Sequence, residues 1–262
     1  MKRVRIAEDG AGYPDVLRPY FRGAAVYDSS CSPIARVIYL EKDGGYYLKS
    51  APAGTLRTEA EMTRYFASKG LGAEVLSYLT EGERDYLLTV RVEGEDCTHA
   101  EYLSDPKRLC DLLGEQLRML HAECTDGCPI PNHTVGYLET AETNYRKKEY
   151  DLSYLPKALE GSTAEEAYAF VQKNAGMLRS EVLLHGDYCL PNVMLDGWRF
   201  SGFIDVGRGG VGDRHVDVFW GAWTLNFNLK TDKYRDRFFD AYGRDAIDPD
   251  RLLLVGAIEA FG

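Results

Sequence analysis

The sequence predicts an α+β fold in two lobes, a β-rich front carrying one helix and a mainly helical back. Three observations carry this. Short runs rich in β-branched and aromatic residues crowd residues 24–92, a polar break follows, and leucines at helical spacing begin soon after it. In the front, strands are expected over 24–27, 35–40 and 46–49, with Asp43-Gly44-Gly45 as the hairpin turn between the last two. A helix is expected over 58–68, then strands near 75–79 and 85–92. The acidic stretch 92–96 (VEGED) reads as the hinge.

In the back, Asp105 followed by Pro106 is an N-cap with proline at the first helical position. Leu109, Leu112, Leu113, Leu117 and Leu120 then share one helical face. Ser162 with Glu165, or Thr163 with Glu166, opens another helix as a capping box. Strand character returns only at 182–184 and 200–204. Helices follow from about Asp213, Thr231 and Asp248-Pro249. No 20–50-residue period repeats, which excludes a solenoid.

The 262 residues are 45% hydrophobic and 27% charged, enough apolar material for a core. Thirty-one Lys and Arg against forty-one Asp and Glu leave a net charge of −10. That balance argues against nucleic acid and anionic membranes as partners and suits a cationic small molecule. Met1-Lys2-Arg3-Val4-Arg5 has no apolar segment behind it, and the apolar run 252–258 is too short to cross a bilayer. A cytoplasmic protein, monomeric or weakly dimeric, is therefore expected, and the six cysteines read as reduced thiols. Cys124 and Cys128 lack a second ligand pair at zinc spacing.

The chemistry gathers in His185-Gly186-Asp187-Tyr188-Cys189-Leu190-Pro191-Asn192 and in Phe203-Ile204-Asp205-Val206-Gly207-Arg208. Phosphoryl transfer needs one carboxylate to orient a hydroxyl and take its proton, and Asp and Asn oxygens to hold Mg²⁺. An Asp, an Asn five residues on and a later Asp-x-Gly follow the logic of protein kinases. Lys49 ends the third expected strand and Glu59 lies on the expected helix, a pair that would fix an ammonium against phosphates. Ser29-Ser30-Cys31-Ser32 turns between the first two strands without the glycines of a kinase loop. The chain has no GxxxxGK[ST] motif. Gly207-x-Gly209-x-x-Gly212 matches a dinucleotide fingerprint, but the βαβ unit it requires is missing. Asp213 and Asp217 read as helix caps or partners of Arg214, and His121 as a helix C-terminal cap.

These strings, with the Asp213-Arg214-x-x-Asp217 tail, resemble the aminoglycoside phosphotransferases, and most of all the 3′-phosphotransferases, or kanamycin kinases. The HGD-x₄-N core is shared with choline, homoserine and fructosamine kinases. The CLPN and SGFID-x-GR strings are narrower. The resemblance implies a bilobal, protein-kinase-like fold, with a nucleotide-binding lobe at 1–91 and a catalytic and substrate-binding lobe at 92–262. It implies phosphorylation of a drug hydroxyl from ATP, or alternatively GTP, with Mg²⁺, giving antibiotic resistance. In those terms Asp187 would be the base and Asn192 and Asp205 the magnesium ligands. Lys49 would bind phosphate with Glu59 as its partner, and Arg208 would lie near the transferred phosphate or the substrate. Tyr47 would stack on adenine, Arg91 and Val92 would offer backbone groups to its edge, and Ser32 would help cover the phosphates. For the drug, Glu259 and Phe261 match the terminal pattern, and a helical insert offers Glu149, Asp151 and Glu160. The chain departs from the family with Ile258 in place of an acid, an added Gly262, and Asn226-Phe227-Asn228 where another acid can stand. The alternatives are a kinase of another amine or sugar alcohol, and a nucleotide-binding pseudoenzyme.

Overall fold

Alternation along the early strands builds the sheet expected of them. A computed structural model describes residues 3–31 and 33–262. Strands β1 (Val4–Ile6), β2 (Ala25–Asp28), β3 (Arg36–Glu41), β4 (Tyr46–Pro52), β5 (Val75–Glu81) and β6 (Arg84–Val90) form one antiparallel sheet in the order β1-β2-β3-β4-β6-β5. In β4, Leu48 is buried on one face with Ile38, Leu40 and Leu88, beneath Leu17 and Phe21 of the short helix α1 (Arg18–Phe21) and the residues before it. On the opposite face Lys49 and Ala51 both line a cavity, and Ala51 also packs with Leu87 against Leu56 and Ala60. A period of two thus separates core from site on a single strand.

Helix α2 (Arg57–Ser68) buries Ala60, Met62, Thr63 and Phe66. Its N-terminus has no side-chain cap of its own. Instead Asp85, fully buried on β6, accepts the N–H of Leu56 at 3.0 Å and the hydroxyls of Thr80 and Tyr78 at 2.7 and 3.1 Å. These donors hold the Asp85 carboxyl below its ordinary range although burial opposes the charge.

The first compact unit runs up to Cys97 and also takes in Pro191–Arg208; the second comprises Thr98–Leu190 and Gly209–Gly262. The first therefore holds β7 (Glu95–Asp96), β9 (Val193–Asp196) and β10 (Arg199–Phe203), a three-stranded sheet in the order β10-β9-β7. Sequence order alone assigns the stretch 191–208 to the back, but its backbone bonds lie with the front. Cys97 donates to Val193, and Phe203 donates to Leu71 at 2.7 Å. Gly72 lets that approach happen, because a Cβ there would stand 2.9 Å from the Phe203 carbonyl oxygen. Strand β9 was not expected, since Val-Met-Leu is too short to show a period.

The second unit is helical, as its leucine spacing predicts. Its helices are α3 (Ala100–Leu103), α4 (Pro106–His121), α5 (His133–Lys147), α6 (Ala164–Asn174), α7 (His215–Leu229), α8 (Arg235–Tyr242) and α9 (Pro249–Glu259). Asp105 caps α4 through Arg108 N–H, and Leu109, Leu113, Leu117 and Leu120 are buried as predicted, with Leu112 half-buried. Thr163 and Glu166 form the capping box of α6. The Gly207–Gly212 segment enters no βαβ unit. It turns into β11 (Gly210–Gly212), antiparallel to β8 (Val182–Leu184), and α7 follows. Among the described residues no helix is long and apolar enough to cross a membrane.

Candidate active site

Within the first unit, a cavity of about 400 Å³ opens beside β4 and α2, mostly apolar, with Tyr47, Lys49, Glu59, Val92, Ile204 and Asp205 in its wall. The Lys49 ammonium lies 2.9 and 2.8 Å from the two Glu59 oxygens and 2.7 Å from Asp205 Oδ1. Burial disfavours the ammonium, yet the two carboxylates outweigh it and raise its pKa, so Lys49 is a fixed positive charge. Asp205 stands just past β10 with φ +60°, the left-handed region that a non-glycine residue enters at some cost. That turn brings its half-exposed carboxylate onto the lysine.

Asn192 precedes β9, and its carbonyl accepts the N–H of Ile204 at 3.0 Å. The β9–β10 pairing therefore sets Asn192 beside the residue before Asp205. Among the described residues no three His, Cys, Asp or Glu side chains converge on a metal. An amide oxygen and a carboxylate nonetheless suit Mg²⁺, which keeps most of its shell as water and phosphate. The donor chemistry fits.

In the second unit, the loop after β8 carries Asp187. His185 N–H and Gly186 N–H donate to the two oxygens of Asp217, both at 2.8 Å. Gly186 has φ +82°, which a side chain would resist. Further along, Leu190 N–H donates to Thr224 Oγ1 at 3.2 Å, and the buried Tyr188 hydroxyl donates to Leu113 O at 2.8 Å. Helix α7 thus holds the backbone on both sides of Asp187 and α4 holds the Tyr188 side chain, leaving the Asp187 side chain partly exposed. From its sequence position Asp217 reads as a helix cap or a partner of Arg214, whereas the structure spends it on the loop backbone. Its place among Val216, Val218, Phe219 and Trp220 was the available signal, since a carboxylate in an apolar helix is buried and must have donors.

Asp217 also receives His121, whose Nε2 lies 3.2 Å away, while His121 Nδ1 lies 2.8 Å from the Tyr242 hydroxyl. A neutral imidazole with its proton on Nε2 satisfies both contacts, with Tyr242 donating. His121 is therefore no helix cap. Burial lowers its pKa despite the adjacent carboxylate, and burial also pushes Tyr242 up to about 12. Asp217 is held below its ordinary range: burial opposes its charge, but the bonds from His121 and His185 outweigh it. Between the depressed His121 value and its ordinary 6.5 the unfolded chain binds more protons, so stability falls as pH drops through that window. Asp217 adds a further loss below the ordinary carboxylate range. Urea unfolding at pH 7.5 and 5.5 should show the first loss, and His121→Gln should reduce it. An equal loss in both proteins would place the titration elsewhere.

The other expected residues distribute unevenly. Tyr47 lines the cavity, and its hydroxyl accepts a bond from Arg3 at 2.7 Å. Val92 lines it, but Arg91 does not. The Arg91 N–H is committed to Gly45 O at 2.9 Å and its guanidinium to Gly94 O, and the residue facing the cavity is Val90. Ser32 lies outside the described residues. Arg208 is exposed on the turn Val206–Arg208. Glu259 is nearly buried and accepts the Tyr137 hydroxyl at 2.8 Å, while Glu160 is exposed. The expectation that Phe261 contacts a ligand is corrected: its ring is fully buried among Tyr145, Tyr150 and Tyr168. An apolar ring near a chain end gains more from that core than from solvent.

Known proteins resemble this chain in sequence and fold. The family described as the phosphotransferase enzyme family matches residues 34–254. The chain is 51% identical to a probable aminoglycoside 3′-phosphotransferase of Lactococcus lactis subsp. lactis (strain IL1403), over 95% of each chain. Among solved structures, an aminoglycoside 3′-phosphotransferase of type VIII superposes with a TM-score of 0.75 at 24% identity, over 94% of this chain and 97% of that one. An aminoglycoside phosphotransferase, APH(3'')-Id from Streptomyces rimosus, in complex with ADP and streptomycin, gives 0.71 at 24% identity over 86% and 90%.

Proposed function

The chain belongs to the phosphotransferase enzyme family, among the aminoglycoside phosphotransferases, and from that membership we propose that it moves the terminal phosphoryl group of ATP onto the 3′-hydroxyl of an aminoglycoside and so confers resistance. The observation that carries this reading is the Lys49 ammonium set between Glu59 and Asp205 in the wall of an apolar cavity. A fixed cation beside an oxygen ligand for a metal is what triphosphate binding asks of a protein. The ADP held by the structural neighbour supports an adenine nucleotide.

In this reading Lys49 binds the α- and β-phosphates while Glu59 holds it in place. Tyr47 flanks the adenine ring, and Val92 presents backbone groups to its edge. Asn192 and Asp205 would hold Mg²⁺, which would supply charge neutralisation at the phosphates. Asp187 accepts the hydroxyl proton as that oxygen attacks the terminal phosphorus. The bond to the bridging oxygen breaks, ADP leaves, and the proton passes from Asp187 to water. Arg208 offsets negative charge on the transferred group. Glu259 and Glu160 pair with ammonium groups of the drug, whose desolvation otherwise costs binding.

The test is ADP release with kanamycin, neomycin, amikacin, gentamicin, choline and homoserine, followed by NMR of the phosphorylated product. Acceleration by kanamycin, neomycin and amikacin and a 3′-phosphate are expected, whereas gentamicin, whose main components lack a 3′-hydroxyl, should leave release at the ATP-only rate. Release no faster than with ATP alone for every aminoglycoside would overturn the proposal.

A further inference from the structure

Helix α7 carries Trp220, Trp223, Thr224 and Phe227 at i, i+3, i+4 and i+7, one continuous stripe. Thr224 on that stripe accepts Leu190 N–H, three residues past Asp187, so the helix is tied at this point to the loop that carries Asp187. It ends in solvent, where Phe227 is 55% exposed. Between those ends the rings are ordered. Trp223 stacks on Phe227 at 5.0 Å and 9°, Tyr154 stacks on Trp223 at 5.9 Å and 29°, and Trp220 meets Trp223 edge-on at 5.3 Å. A lone exposed phenylalanine means little, but a stacked array on a helix tied to the loop of Asp187 is a surface with a chemistry. That chemistry is displayed within the chain: the Lys230 ammonium sits 4.2 Å from the centre of the Phe227 ring. The ring already receives a cation.

We propose that Trp223 and Phe227 form an aromatic subsite for an ammonium-bearing ring of the acceptor, with the ligand's ammonium taking the place on Phe227 that Lys230 holds. The inference rests on the aminoglycoside reading above and names how that acceptor is recognised. A ring face attracts an ammonium through its quadrupole without the fixed oxygen geometry of a carboxylate. The side chains flanking Phe227, Asn226 and Asn228, bring no charge that would compete for that ammonium. Acceptors whose amino groups differ in position are therefore accommodated on one surface.

The experiment compares wild type with Phe227→Ala, Trp223→Leu and Lys230→Gln, using neomycin as acceptor. Loss of a cation–π contact should raise the neomycin KM about fivefold to twentyfold in the first two, with KM for ATP unmoved. Lys230→Gln, which clears the ring, should lower it. A Phe227→Ala enzyme with an unchanged neomycin KM, or a Lys230→Gln enzyme with a raised one, overturns the subsite while leaving the proposed function intact. Phe227 is exposed, so its variant decides the matter even where Trp223→Leu fails to fold. If wild type shows no turnover with any aminoglycoside, the proposed function fails. The subsite is then read by neomycin titration of tryptophan emission, where equal affinity in wild type and Phe227→Ala overturns it.

Discussion

Asp187→Asn is expected to lower kcat ~10²–10⁴-fold, the range that general-base catalysis supplies. The substitution keeps the size and most hydrogen-bonding capacity of the side chain but removes its ability to take a proton at neutral pH. Stability should not follow activity. The loop is held by main-chain bonds to Asp217, Thr224 and the carbonyl of Asp187 itself, none of which uses the Asp187 carboxylate. Turnover and thermal unfolding measured on the same preparation separate the two. Wild-type turnover in the variant would remove Asp187 from the chemistry, and a collapse of the unfolding temperature would make it a structural residue.

Lys49→Met comes next in size. Losing one fixed charge that stabilises a transferring phosphoryl group costs ~10²–10³-fold in turnover, and nucleotide affinity should fall with it. The physical cause is visible in the ion set: without the ammonium, the mostly buried Glu59 and the half-exposed Asp205 are left near each other as like charges. One of them is then expected to bind a proton more readily. Nucleotide titration of both proteins at pH 6 and 8 reads this as a pH dependence that the variant gains. Equal affinity for ATP in Lys49→Met and wild type would separate the lysine from the phosphates.

How much of this was legible beforehand follows from the range of the interactions. Lys49 and Glu59 were readable because strand end and helix face are local patterns, and Asp205 because the strand-then-Asp string is contiguous. The hydrogen bond between Lys49 and Asp205 joins residues 156 apart and has no local signature. Arg91 was placed by its position in the hinge. Its N–H, however, belongs to Gly45 just before β4, a partner chosen by the β4–β6 register. His121 and Tyr242 are likewise 121 apart, and each alone reads as an ordinary helix residue.

By itself the sequence determined the α+β class, the leucine face of α4, the capping box of α6 and the set of oxygen-bearing side chains suited to phosphoryl transfer. Each of these is written in neighbours a few residues apart, where periodicity and side-chain chemistry act directly. Only the tertiary structure decided which backbone donors are spent, that Phe261 turns into the core, that Asp217 holds the loop carrying Asp187, and that the α7 rings stack out to solvent. These depend on burial and on partners far along the chain, and a linear pattern carries no distance between them.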